Sequence, residues 1–76
     1  MQAFVLVSLV QCDEQKALDE LKELEEIKNA YILFGEWDIL AEIELDQAEQ
    51  LGTFVMEKIR SRDDVKLTSS LIVAGR

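Results

Sequence analysis

The chain has no histidine, a single cysteine, half as many basic as acidic residues, and no long apolar run. Each shortage removes a class of explanation. One cysteine, Cys12, cannot form an internal disulfide, and without histidine a structural metal site has few ligands to draw on. Below roughly 70–80 residues a single core supplies only about 3–5 kcal/mol, so a chain of 76 residues needs a staple, and association with another subunit is the one left. The lone cysteine also fits a reducing, cytoplasmic setting. Eight Lys and Arg against sixteen Asp and Glu give a formal charge of −8, without the basic footprint that displaces counterions from phosphates. Direct binding to nucleic acid is not expected. A membrane span needs about 18 or more consecutive apolar residues, and none occur. The first apolar run, Ala3 to Val10, has no basic residue ahead of it, so it reads as a strand and not as a signal peptide.

What is present divides into six elements with no linker. "AFVLVSLV" (3–10) is a continuous β-branched and aromatic run, short enough for a strand buried on both faces. Asp13 can cap a helix in which Ala17, Leu18, Leu21 and Leu24 make one apolar stripe. "IKNAYILF" (27–34) and "WDILAEIEL" (37–45) read as two strands joined by Gly35-Glu36, the two-residue, glycine-first signature of a type II′ hairpin. A second helix opens at Asp46, spaced from Glu49 as in a capping box, and carries Ala48, Leu51, Val55 and Ile59, with Gly52 weakening it. "VKLTSSLIVA" (65–74) is the last strand.

The order βαββαβ predicts an α+β, ferredoxin-like fold: a four-stranded antiparallel sheet, first and third strands central, both helices on one face. In a two-residue hairpin the paired residue numbers sum to 71. Phe34, Ile32 and Ala30 then share the helix-side face with Trp37, Ile39 and Ala41, while Leu33, Tyr31 and Asn29 share the open face with Asp38, Leu40 and Glu42. Strict alternation along the last strand puts Lys66, Thr68, Ser70 and Ile72 on that open face as well. Tyr31, Leu33, Leu40 and Ile72, with one side of the first strand, then form more apolar surface than a lone soluble domain exposes, and a second copy is the simplest cover, sheet against sheet.

The succession of apolar strand, acidic helix, "AYILFGEWDILAEIEL", second helix and "VKLTSSLIV" resembles the RAM domain, the effector-binding and oligomerisation half of the Lrp/AsnC transcription regulators. The most specific parts are Gly35-Glu36-Trp37-Asp38 and the Val65-x-x-Thr68-x-Ser70 step. Phe34 stands where that family often has threonine, and Trp37 where it often has tyrosine. No helix-turn-helix domain fits ahead of Met1, so the resemblance is to the stand-alone members, a single domain over 1–76 without a DNA reader. It implies dimers that assemble further, to tetramers, octamers or decamers. It also implies free amino acids as effectors, held between dimers near the turn after the second strand, and full-length family regulators as partners.

Carried over residue by residue, the resemblance implicates Gly35, Glu36 and Asp38 at the turn and Thr68 and Ser70 on the last strand. The chemistry is consistent with an amino acid: Asp38 as acceptor for an ammonium, and the Gly35 and Glu36 N–H groups with the Thr68 and Ser70 hydroxyls as donors to a carboxylate. Each residue also has a plainer reading: Gly35 as turn glycine, Asp38 as hairpin-end polar residue, Trp37 as core facing the helices, Thr68 and Ser70 as strand residues. Nothing in the pattern asks for a cofactor. Glu42 and Glu44 share a strand face, but two carboxylates fall short of a calcium shell. Cys12 near a helix N-terminus has no evident activating base. A non-enzymatic sensor is the favoured reading. A dimeric ferredoxin-like oxygenase or isomerase, with a cavity inside the sandwich, stands as an alternative, as do an ACT-type amino-acid-binding domain and a purely structural oligomerisation module.

Overall fold

Alternation along the first apolar run decides where the core lies. In the computed structural model, which describes residues 1–10 and 13–75, Gln2–Leu9 forms β1. Its Ala3, Val5 and Val7 are wholly buried, while Phe4, Leu6 and Ser8 are only half-buried. A run this apolar is expected to be covered on both faces; in the single chain one face is covered. The chain continues through α1 (Glu14–Lys22), β2 (Ile27–Ile32), β3 (Ile39–Glu44), α2 (Gln50–Phe54) and β4 (Val65–Ile72). The sheet order is β2-β3-β1-β4 with every neighbouring pair antiparallel, so β1 and β3 are central, as the βαββαβ pattern predicts. Leu21 of α1, Ile59 after α2, and Val5, Val7, Ile39 and Ile43 of the central strands fill the layer between helices and sheet. Among the described residues, no helix is long and apolar enough to cross a membrane. Cys12 lies outside the described residues.

The helix caps divide between expectation and surprise. Asp13 caps α1 as its position predicts, its side chain accepting from the Lys16 N–H at 3.2 Å. The Asp46–Glu49 box does not form. The first turn is instead closed one residue later, where the Gln50 side chain accepts from the Gln47 N–H at 3.0 Å and the Gln50 N–H donates to the Gln47 carbonyl at 3.1 Å. Downstream, α2 continues through Val55–Arg60 as a π-helical turn that still buries Val55 and Ile59.

Both edge strands carry a bulge. On β2 the register passes from Ile27↔Ile43 to Asn29↔Glu42, leaving Lys28 as the extra residue, so Ile27 and Ala30 both face the core. On β4 it passes from Leu9↔Val65 to Ser8↔Leu67, leaving Lys66 as the extra residue. That second bulge overturns the expected faces of the last strand. One added residue inverts the side-chain phase of everything beyond it. Val65 packs on the core, and then Thr68, Ser70 and Ile72 pair with Val7, Val5 and Ala3 on the helix side. Leu67, Ser69 and Leu71 take the open face beside Ser8, Leu6 and Phe4. Ile72 is therefore not part of the open face, and Thr68 and Ser70 do not share a face with Asp38.

Candidate functional site

The segment that joins β2 to β3 departs from the expected two-residue turn. The pairing sum of 71 holds for Ala30↔Ala41, Tyr31↔Leu40 and Ile32↔Ile39. The last bond of the hairpin then runs from the Leu33 N–H to the Asp38 carbonyl at 2.8 Å, so residues 34–37 form a wider loop. Gly35 has φ +152°, well beyond the roughly +60° of a type II′ turn. A Cβ there would meet nothing within 4 Å, so backbone conformation and not crowding reserves the position for glycine. The pull comes from Asp38: its N–H donates to the Val7 carbonyl at 2.9 Å, and its Oδ2 accepts from the Leu9 N–H at 2.7 Å. Asp38 thus ties the loop to both β2 and β1.

Freed from the ladder, the loop residues no longer alternate. Phe34, expected on the core side, is fully exposed. Trp37, also expected to face the helices, is half-buried on the opposite side, where it lines a cleft of about 180 Å³ with Ser8, Glu36 and Leu67. Among the described residues, neither the Gly35 nor the Glu36 N–H is taken by a protein acceptor.

The expected ligand residues separate into two groups. Gly35, Glu36 and Asp38 stand together at the loop. Thr68 and Ser70 lie across β1 on the helix side of β4, where Thr68 lines a second cleft of about 260 Å³ with Arg60, Val65, Lys66 and Leu67. Sequence reasoning missed Ser8, Leu67, Arg60 and Lys66, because their proximity depends on the β4 bulge, which leaves no local mark in the sequence. A larger groove, about 390 Å³, runs beside α2 between Leu45, Thr53 and Phe54, away from both groups.

On the open face, Tyr31, Leu67 and Leu71 are each at least 50% exposed and surround the half-buried Phe4, Leu6 and Leu40. Leu33, at the loop end of this face, is half-buried. Glu42 sits among them with its carboxylate engaged by two amides, Asn29 Nδ2 at 2.8 Å and Gln2 Nε2. Behind the sheet, Arg62 fastens the segment before β4 to α1: its Nε and Nη2 donate to Asp64 at 2.9 and 2.8 Å, and Nη2 also donates to Glu20 at 2.8 Å. The Arg62 hydrogen bonds hold the Asp64 carboxyl below its ordinary pKa.

Comparison with known proteins gives a consistent answer. Residues 2–76 match the model of the Lrp/AsnC ligand binding domain. The chain is 27% identical over 59 residues to an uncharacterized HTH-type transcriptional regulator of Pyrococcus furiosus, a match that spans 78% of this chain and 39% of that protein. Its fold superposes on the crystal structure of FFRP-DM1 with a TM-score of 0.88 at 32% identity, covering 95% of this chain and 96% of that one. Escherichia coli AsnC matches with a TM-score of 0.89 at 26% identity, over 99% of this chain and 51% of that one.

Proposed function

We propose, because the chain belongs to the Lrp/AsnC ligand-binding domain family, that this effector-binding module is a cytoplasmic, non-enzymatic sensor of free amino acids. It works as a homo-oligomer and modulates transcription regulators through effector-dependent assembly, by mixing with full-length family members. Dimers form by apposition of the open sheet faces through Tyr31, Leu33 and Leu40 together with Phe4, Leu6 and Leu71.

The observation that carries this reading is the separation of the recognition groups. Asp38, whose Oδ1 has no hydrogen-bond donor among the described residues, stands at the loop, and the Thr68 and Ser70 hydroxyls stand on the other face of the sheet. Two faces of one sheet are poorly disposed to surround one zwitterion, which supports a site that closes between copies and whose occupancy is tied to assembly. The enzyme alternative needs a cavity between sheet and helices; that layer is filled by Val5, Val7, Leu21, Ile39, Ile43 and Ile59.

A thermal-shift screen against the individual amino acids, with mass read by light scattering on the same samples, tests the proposal. A ligand at about 100 times its dissociation constant adds roughly 2.7 kcal/mol, which moves the midpoint of so small a domain by several degrees. A selective rise with a change in mass is expected. No rise with any amino acid, in a sample that is a stable oligomer, leaves a module that works through protein contacts alone.

A further inference from the structure

Two irregularities of the backbone end in one cleft. The π-helical turn delivers Arg60 as its last residue, and the β4 bulge sets Lys66 outside the ladder while turning Thr68 to the helix side. Turns and bulges of these kinds recur beside functional sites because they re-aim side chains that regular structure would point elsewhere. Together with Val65 and Leu67, the three residues line the cleft of about 260 Å³.

The electrostatics of this cleft run against the rest of the molecule. The chain carries −8, yet the cleft has two cations and a hydroxyl on its walls and no carboxylate among its lining residues. Asp64, two residues before Lys66, is engaged by Arg62, as is Glu20 of α1. Among the described residues, neither Arg60 nor Lys66 forms a salt bridge. Two unneutralised cations beside a hydroxyl offer a planar fork, a point charge and a rotatable donor, the set that suits a small oxyanion.

We infer that Arg60 and Lys66, with the Thr68 hydroxyl, form an anion half-site that receives the carboxylate of the effector. This deepens the proposed function and rests on it: the ammonium goes to Asp38 of a second copy, and the carboxylate to this cleft. Arg60 and Lys66 are then the residues that admit ligands with a free carboxylate and reject their amides.

The test is a ¹⁵N NMR titration of the full chain with two probes, succinate, which has carboxylates and no ammonium, and the amino acid that gives the largest thermal shift. Succinate is expected to move the Arg60, Lys66 and Thr68 amide resonances. Arg60→Gln and Lys66→Gln are each expected to weaken both probes about tenfold, the loss of one charge-assisted hydrogen bond. Both side chains are exposed, so the melting temperatures should stay near wild type. The carboxamide of the amino acid should bind as weakly to wild type as to Lys66→Gln. Succinate binding at the cleft with no amino acid bound upholds the anion site and removes the amino-acid reading. Amino-acid binding undiminished in both variants, or resonance shifts confined to other residues, overturns the half-site while leaving that reading in place.

Discussion

Where β3 leaves the sheet, the Leu9 N–H needs an acceptor, and the Asp38 carboxylate supplies it at 2.7 Å. That residue therefore has a duty to the fold before any duty to a ligand. Its position beside Gly35 is readable from the sequence; its bond to Leu9 is not, because the contact joins residues 29 apart at the end of a ladder. Trp37 and Phe34 were misplaced for the same reason, since strict alternation assumes that the ladder continues to the turn. Two substitutions separate the duties of Asp38. Asp38→Ala removes a part-buried hydrogen bond and should cost about 1–2 kcal/mol, read as a fall of several degrees in melting temperature. Asp38→Asn keeps an oxygen for Leu9 but loses the charge, so it should melt near wild type while losing amino-acid affinity. Undiminished affinity in the Asn variant would refute the ammonium role.

Among elements, apolar periodicity was enough to place all four strands and the first helix, because each buries one face and the pattern of that face is written in the residues. It was not enough for the second helix, whose cap falls at Gln47 and Gln50 and whose end widens into a π-helical turn. Nor could it find the bulges, which add a residue without a distinctive residue type. Between elements, Arg62 makes a clamp that periodicity cannot reveal, joining α1 to the segment before β4 through Glu20 and Asp64. The pH dependence of this clamp has a definite sign. Because the folded Asp64 carboxyl titrates below its unfolded value, its contribution to stability is fully present above the ordinary aspartate pKa of about 3.9 and is lost as pH falls through the depressed folded value. Asp64→Asn should therefore melt below wild type at pH 7, with the gap closing as the pH is lowered past about 4. A gap that persists unchanged into acid would assign the loss to packing and not to the ion pair.

For the whole molecule, element order and strand order followed from the sequence because right-handed crossovers leave few topologies for βαββαβ. The open face was legible in outline, through Tyr31 and Leu40, but its β4 portion was inverted. The correction sharpens the test of assembly. Leu40→Lys puts a charge at the centre of the open face and should convert dimers to monomers by light scattering, whereas Ile72→Lys, on the helix side, should leave the mass unchanged. The reverse outcome would move the interface to the other side of the sheet. The Lys66 bulge also bears on how relatives are compared. Aligned column by column, a relative without that extra residue keeps every later letter in place while its rows of side chains trade sides, so hydroxyls that look equivalent would stand on opposite surfaces. Comparisons across this strand need a gap at position 66 wherever the partner sequence runs straight.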